Sequence, residues 1–176
     1  MTNWTEREIG YCLARGLFAS RAVVLVPECT YPGHECDILV VERGCRLIEV
    51  EVKATLADLL ADAKKDKWYR GRLFYGPDGR HVRGEAREWP VMIWRHYYCF
   101  PEAIWNPERI LPVLPAASGI LTGDDPRKSL KLDVRRRARS NPEAKPLSAN
   151  AVCNLARLAN LRMWDALNRE AGRNAP

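Results

Sequence analysis

Two short apolar runs joined by a tight turn constrain the fold of this chain more than any other feature. The first run, Ile38–Val41, is separated from the second, Arg46–Val52, by the loop 42–45, which contains a glycine. Apolar runs of this length, rich in valine and isoleucine and flanking a short glycine-containing turn, predict an antiparallel β-hairpin. Charged residues beside the two runs therefore have defined faces on a β-sheet.

Four charged side chains take defined positions on this hairpin. Successive side chains of a strand point to opposite faces, so Glu49, Glu51 and Lys53 share one face of the second strand. The register can bring Asp37, at the start of the first strand, beside Glu51 and Lys53. Neighbouring carboxylates repel each other unless a cation lies between them. Oxygen ligands favour Mg²⁺ or Mn²⁺, and a nearby lysine can orient a metal-bound water or offset phosphate charge.

A structural interpretation of the same residues stays open. Glu49, Glu51 and Lys53 could form the solvated face of an edge strand with cross-strand ion pairs, and Glu-x-Lys is common by chance. Three features favour a metal site. Asp37 lies upstream at a matching distance, a helical segment follows Lys53 directly, and the first helix carries an acid on its inner face.

The first helix is predicted from about Thr5 to Phe18. Thr5 followed by Glu8 is a capping-box pattern, and apolar residues recur at helical spacing at Ile9, Leu13 and Leu17. Glu6 falls on this buried face, where a carboxylate is costly unless a charged group receives it. A first-turn acid that complements the helix dipole is the alternative role for Glu6.

The remaining segments predict an α/β domain followed by one more helix. The predicted elements are a strand at 22–26, a helix at 56–69, a strand at 91–100, and a hairpin of 119–122 with 129–134. We expect one domain over 1–139, a linker over 140–147 and a helix over 148–171, capped by Ser148 or Asn150. The apolar stripe of that helix packs either on the same domain or on a partner, and a homodimer is one such arrangement.

Composition bounds the class of protein. The chain has 176 residues, 47% of them hydrophobic, which fits one domain with its own core. No apolar run approaches the ~20 residues that span a bilayer, and the first residues lack the basic start and apolar stretch of a signal peptide. We therefore expect no membrane partner, a cytoplasmic location and six reduced cysteines.

Four possible zinc ligands lie close together in the sequence. They are Cys29, His34, Cys36 and Cys45. Their spacing is not the paired Cys-x-x-Cys of common zinc sites, and Cys36 should face away from the acidic site because it neighbours Asp37 in a strand. Buried or incidental thiols are therefore the favoured interpretation.

The net charge of +6 is unevenly distributed. One basic cluster, at the end of the second helix, includes Lys64, Lys67 and Arg70, and a second consists of Arg135, Arg136 and Arg137. Basic groups neutralise phosphates and aromatic rings stack on unpaired bases, so these clusters predict DNA as a partner. A solvated face with ordinary core aromatics is the alternative.

The order of these motifs resembles a known superfamily. A helix, three strands, a helix and a strand, with Asp37 and then Glu51-x-Lys53, is similar to the PD-(D/E)XK nucleases. Residues 5–9 look like the first helix of archaeal Holliday-junction resolvases, in which the first glutamate of Glu-Arg-Glu belongs to the site. A discontinuous likeness to MmcB-like DNA repair proteins covers 51–55, 58–59, Asp62, Lys64, 67–69, 97–102 and 117–121.

The resemblance has three departures. Cys36 stands where the superfamily places a proline before the first acid. Glu49 is an extra acid on the metal face. Residues 71–90 look like an insertion, and no family role can be carried onto them.

The resemblance implies an α/β fold with a restriction-endonuclease-like αβββαβ core, a mixed central sheet flanked by helices, and the C-terminal helix in addition. It implies a Mg²⁺- or Mn²⁺-dependent deoxyribonuclease acting in DNA repair or mobile-element processing. The catalytic residues would be Glu6, Asp37, Glu51 and Lys53. Asp37, Glu51 and the Val52 backbone carbonyl would hold the metal, with Glu49 as a further candidate. A non-catalytic nucleic-acid-binding module with the same fold, or an RNA nuclease, are the alternatives.

Overall fold

A six-stranded mixed β-sheet forms the centre of the protein. The computed structural model describes residues 4–62, 64–70, 74–75, 81–82 and 84–173. The strands are β1 (Ala22–Cys29), β2 (Cys36–Glu42), β3 (Leu47–Val52), β4 (Phe74–Tyr75), β5 (His81–Val82), β6 (Ile93–Pro101), β7 (Gly119–Gly123) and β8 (Asp133–Arg136). The α-helices are α1 (Glu6–Cys12), α2 (Leu56–Asp62), α3 (Pro107–Ile110) and α4 (Ala149–Arg173).

The sheet has the strand order β1-β2-β3-β6-β7-β8, and β4 pairs with β5 outside it. Strand β2 is antiparallel to both of its neighbours, β1 and β3. Strands β3, β6 and β7 run parallel to one another, and β8 is antiparallel to β7. The core order α1-β1-β2-β3-α2-β6 is the predicted αβββαβ order. The predicted α/β class, with a mixed sheet, flanking helices and a C-terminal helix, is confirmed.

The predicted hairpin is formed by β2 and β3. Ile38 pairs with Val50 and Val41 with Leu47, so Asp37 lies next in register with Glu51. Cys45 closes the turn with a positive φ of 55°, and its N–H donates to the carbonyl of Glu42 at 2.8 Å. The register predicted from alternation is therefore the one the chain adopts.

Both faces of the sheet are covered by apolar side chains. On one face, Ile9 of α1 and Leu13, which directly follows α1, pack against Ile38, Val40, Ile48 and Val50. On the other, Leu155 of α4 packs against a cluster that includes Leu39, Val41 and Leu47. Further along that second face, Leu59 and Trp68 pack against Tyr98, Phe100 and Ile120. Successive residues along β2 and β3 thus belong alternately to the hydrophobic cores on the two faces of the sheet.

The first helix begins as predicted. The Thr5 side chain accepts a hydrogen bond from the Glu8 N–H at 3.3 Å, and its hydroxyl donates to the Glu8 carboxylate at 2.9 Å. A π-helical turn at Leu13–Leu17 continues α1 to the predicted end near Phe18. The Thr5 N-cap and the buried apolar face of the helix fix the position of Glu6 beside the sheet.

The second helix is shorter than predicted. It ends at Asp62, and a 3₁₀ turn follows at Asp66–Trp68, where we expected one helix as far as Tyr69. The Trp68 indole N–H donates to the Asp62 carbonyl at 3.1 Å, which turns Lys67 and Trp68 towards the sheet. A continuous helix could not place both residues in this way.

The C-terminal helix is capped by Ser148, whose hydroxyl accepts the Ala151 N–H at 3.2 Å. The preceding segment 140–147 is attached to the sheet, because the Asn141 amide donates to the Ile93 carbonyl and the Leu147 N–H donates to the Cys45 carbonyl. Of the predicted insertion 71–90, residues 71–73, 76–80 and 83 lie outside the described residues. Within the described part of the chain, no helix combines the length and apolarity needed to cross a membrane.

Candidate functional site

A cleft of about 640 Å³ opens between α1 and α2 at the end of β3. Its lining includes Glu6, Asp37, Val52, Lys53, Asp58, Asp62 and Lys65. Three of the four predicted catalytic residues, Glu6, Asp37 and Lys53, therefore line one cavity. The fourth, Glu51, lies directly behind Lys53 and is fully buried.

Asp37 and Glu51 converge on a single cation, the ammonium group of Lys53. Lys53 Nζ donates to Asp37 Oδ2 at 3.1 Å and makes a close ion pair with Glu51 Oε2. The Val52 N–H also donates to Asp37 Oδ2, at 2.7 Å, which fixes the carboxylate against β3. The hairpin register alone accounts for this convergence, since it sets Asp37 opposite Glu51.

A second lysine, Lys67, lies deeper in the same cluster. Its Nζ is 2.7 Å from Glu51 Oε1, 3.0 Å from Glu49 Oε1 and 3.4 Å from Asp62 Oδ2. Its side chain is only 2% exposed. The prediction that Lys67 contacts nucleic acid on an exposed surface is therefore wrong, because its charge is used to neutralise buried carboxylates.

Asp62 is a member of this cluster that the sequence did not identify as a site residue. It accepts a hydrogen bond from the Tyr98 hydroxyl at 3.0 Å and lies 2.9 Å from Lys65 Nζ and 3.4 Å from Lys53 Nζ. A signal was present in the sequence. Asp62 lies three residues after Leu59, on the buried face of α2, and an acid on an apolar face requires a charged partner.

The charges in the cluster perturb one another. Burial raises the pKa of Glu51 to about 8, since repulsion from Glu49 and Asp62 adds to burial and outweighs attraction by the lysines. Burial alone would also raise the pKa of Glu49, but Lys67 and His34 outweigh it and hold that pKa below its usual range. Burial would lower the pKa of Lys53, yet the surrounding carboxylates raise it above its ordinary value. Lys53 is therefore a cation at neutral pH.

Glu6 is an acid of the cleft that the nearby cation Lys53 stabilises only in part. Its Oε2 atom is buried and has no hydrogen-bond partner among the described residues. Burial raises the pKa of Glu6, and the negative charges of Asp37 and Glu28 raise it further. The inward position predicted for Glu6 is thus observed, and its carboxylate faces the side of the cleft that holds Asp37.

The charge balance of the site fits a bound divalent cation. Five carboxylates are gathered here, from Glu6, Asp37, Glu49, Glu51 and Asp62, against the three ammonium groups of Lys53, Lys65 and Lys67. The carboxyl groups outnumber the lysines by two, and a bound divalent cation would favour the ionised form of Glu51, whose pKa burial raises to about 8. Buried carboxylates are stable as anions only when paired or bound to metal, and an all-oxygen donor set suits Mg²⁺ or Mn²⁺.

Glu49 faces away from the cleft. Its two oxygens lie 3.1 and 3.0 Å from His34 Nε2, and Glu49 is fully buried. It is a ligand candidate for a different group of atoms, because donor atoms of His34, Cys36 and Glu49 all lie within 4.8 Å of one another. The prediction that Cys36 faces away from the acidic residues is wrong. Cys36 begins β2 directly after a turn, and on β1 the residue before its partner Cys29 is Glu28, whose φ of 48° interrupts the extended backbone.

The basic residues predicted to bind nucleic acid do not form one surface. Lys64 and Arg70 are exposed beyond α2. Arg135 is exposed on β8 and Arg137 directly after it, and β6 and β7 separate β8 from β3. The guanidinium of Arg136 donates to the carbonyls of Ser118 at 2.7 Å and Pro115 at 2.9 Å. Arg136 therefore has a structural role in place of the predicted one.

Comparisons with known proteins establish the fold and nothing further. No family model matches the chain, and no curated protein matches it. A solved structure described as "SPO1766 protein of unknown function from Silicibacter pomeroyi" is similar, with a TM-score of 0.55 and 20% sequence identity. The match covers 99% of this chain and 94% of that one. At this identity the likeness concerns the arrangement of strands and helices alone.

Proposed function

We propose that this protein is a metal-dependent nuclease that hydrolyses DNA phosphodiester bonds. One observation carries the proposal: Asp37 and Glu51, on neighbouring strands, converge on Lys53 at the wall of an open cleft. Acids on adjacent strands followed by a lysine resemble the PD-(D/E)XK arrangement described from the sequence. A role in DNA repair or mobile-element processing follows from that resemblance alone.

The residues of the cleft have different roles in the proposed reaction. Asp37, Glu51 and the Val52 carbonyl would hold Mg²⁺ or Mn²⁺, with Glu6 as the next carboxylate along the cleft. When bound, the ion would supply Lewis-acid activation of a water and would offset phosphate charge. Lys53, kept protonated by its acidic neighbours, would donate hydrogen bonds to the attacking water and stabilise negative charge as it develops on the phosphate.

Lys67 supports this arrangement from the buried side of the site, and Asp62 supports it from the wall of the cleft. Lys67 holds both Glu49 and Glu51 from behind, so it is a positioning residue for the Glu51 carboxylate. Asp62 contacts Lys53 as well, with its Oδ1 atom 3.4 Å from the Lys53 Nζ that Asp37 also contacts. Ligands held by such surrounding contacts keep their geometry when substrate arrives.

A non-cleaving nucleic-acid-binding module is the second candidate. It is favoured by the burial of Glu51, because both of its oxygens are already paired with lysines, Oε1 with Lys67 and Oε2 with Lys53. In that case the ion pairs would be the permanent state of the site. An RNA nuclease would use the same groups and differs only in substrate.

The test is a cleavage assay with matched variants. Labelled duplex, single-stranded and branched DNA, and single-stranded RNA, are incubated with wild type in Mg²⁺, Mn²⁺ or EDTA. The proposal predicts metal-dependent DNA cleavage that Asp37→Asn and Lys53→Met abolish. Glu28→Gln is the matched control, since Glu28 lines the same cleft but its side chain is 70% exposed.

Each alternative has its own outcome in this assay. DNA binding without cleavage in either metal would replace the nuclease with the binding module. Cleavage confined to RNA would replace the substrate. DNA cleavage that persists in Asp37→Asn would show that this cleft is not the reaction site.

A further inference from the structure

A second group of metal-binding side chains lies behind the cleft, on a different set of residues. Donor atoms of His34, Cys36 and Glu49 all lie within 4.8 Å of one another. Cys29 pairs with Cys36 across β1 and β2, and the Cys36 thiol donates to the His34 carbonyl at 3.8 Å. One sulfur, one imidazole nitrogen and one carboxylate oxygen are thus gathered around one point, and a second sulfur, that of Cys29, belongs to the same buried cluster as Cys36.

The local sequence explains this gathering. Three of the donors come from the stretch Cys29–Cys36, in which a turn with Gly33 at a φ of 89° brings the chain back from β1 to β2. The fourth comes from β3, where Glu49 pairs with Leu39 of β2. Short chelating loops completed by a ligand from elsewhere in the fold are a common way to build a zinc site.

We propose that Cys29, His34, Cys36 and Glu49 bind a zinc ion. Zinc takes four ligands in tetrahedral geometry, and thiolate, imidazole and carboxylate are its usual donors. Mg²⁺ and Mn²⁺, which prefer oxygen, are poor matches for this set. The site is distinct in donor chemistry from the cleft, where every donor is an oxygen.

Charge and burial agree with zinc. Both cysteines and Glu49 are buried, at 2%, 0% and 0% exposure. Two thiolates and one carboxylate would bring three negative charges to the proposed zinc site. The Zn²⁺ ion and the Lys67 ammonium group would bring three positive charges. Lys67 contacts Glu49 Oε1 at 3.0 Å, which leaves Oε2, at 3.0 Å from His34 Nε2, for the metal. The half-buried His34 side chain provides the route of entry.

Cobalt substitution tests the proposal on the full-length protein in a reducing buffer. Apo-protein is titrated with Co²⁺, and thiolate ligation is read from the sulfur-to-cobalt charge-transfer absorption. We expect saturation at one equivalent, displacement by Zn²⁺, and no displacement by Mg²⁺. Cys36→Ser should remove the charge-transfer band or weaken metal affinity at least ~10-fold, whereas Cys45→Ser, at the nearby hairpin turn, should leave both unchanged.

Two further variants separate loss of the zinc site from misfolding and from failure of the nuclease proposal. His34→Gln changes a half-buried side chain and should weaken the affinity by a similar factor, with circular dichroism confirming that the variant is folded. Asp37→Asn should bind Co²⁺ like wild type, so failure of the nuclease proposal would leave this result unaffected. The absence of a charge-transfer band in wild type, or a folded Cys36→Ser that keeps both the wild-type band and the wild-type metal affinity, would overturn the zinc site.

Discussion

Replacing Lys67 with methionine removes the cation that Glu49, Glu51 and Asp62 share. Removing one partner of a buried ion pair costs about 3–5 kcal/mol, because the remaining charge is left without compensation. The lower end applies here. Each carboxylate keeps at least one other contact: Glu49 with His34, Glu51 with Lys53, and Asp62 with Lys53, Lys65 and Tyr98. We therefore expect the free energy of unfolding to fall by about 3 kcal/mol, which lowers Tm by roughly 6–12 °C in a chain of this size.

The pKa shifts of the buried carboxylates determine how the stability loss caused by Lys67→Met changes with pH. Burial opposes ionisation of Glu49 and Asp62, yet Lys67 and its neighbours hold both pKa values below their usual range. Their contribution is present above the unfolded pKa values and is lost as pH falls. Without Lys67 the carboxylates protonate more readily on folding. The stability difference between wild type and Lys67→Met should therefore shrink as pH is lowered from 7 towards about 4.

Urea unfolding at pH 7 and pH 4.5 measures both effects. Lys64→Met is the matched control, because the same substitution at this exposed neighbour should change stability by less than about 0.5 kcal/mol. Adding Glu49→Gln to Lys67→Met should recover part of the loss, with a coupling energy of about 1–3 kcal/mol. If Lys67→Met costs no more than Lys64→Met, the charge network described for the site is wrong.

Three further predictions concern other parts of the molecule. Asp37→Asn should weaken Mn²⁺ binding, followed by electron paramagnetic resonance, at least ~10-fold relative to Glu28→Gln; equal affinities would remove Asp37 from the metal site. Burial lowers the pKa of His96 to about 3, so the free energy of unfolding should fall as pH drops below 6.5, by up to about 1.4 kcal/mol per pH unit. Urea unfolding of His96→Gln should show a weaker dependence of this free energy on pH. An unchanged dependence would refute His96 as its cause. Gly119→Ala should lower stability by about 1–3 kcal/mol, because a Cβ there would lie 2.3 Å from the Tyr97 ring, whereas Gly172→Ala, with nothing within 4 Å, should be neutral or stabilising in the same thermal melts.

Local pattern was enough to predict the part of the site built on the hairpin. Alternation and a short turn set the register, and the register sets Asp37 beside Glu51 and Lys53. The inward position of Glu6 followed from its helical spacing to Ile9 and Leu13, and the cap at Thr5 from its spacing to Glu8. These features depend on residues close in sequence, which is why the sequence was sufficient.

The errors arose where contacts between distant residues decide the local structure. A continuous apolar stripe favoured one helix to Tyr69, but pairing with Glu49 and Glu51 draws Lys67 into the core and a 3₁₀ turn replaces the helix. No sequence pattern within a few residues of Lys67 indicates that Glu49 and Glu51 are its partners.

Cys36 shows the same limit at the start of a strand. Strict alternation placed it opposite the acids, yet the turn before it and the positive φ of Glu28 on the paired strand bring it to the side of Glu49. Arg136 was grouped with Arg135 and Arg137 by composition. Its half-buried guanidinium is instead bonded to two carbonyls of the chain leading into β7.

The most direct test of the nuclease proposal is the initial rate of DNA cleavage by Glu51→Gln beside wild type, each in Mg²⁺ and in EDTA. Glutamine keeps the size of the buried side chain and removes the charge that pairs with Lys53 and Lys67. The proposal predicts that EDTA abolishes wild-type cleavage and that Glu51→Gln is slower by at least about 100-fold in Mg²⁺. A folded Glu51→Gln that cleaves DNA as fast as wild type would contradict it.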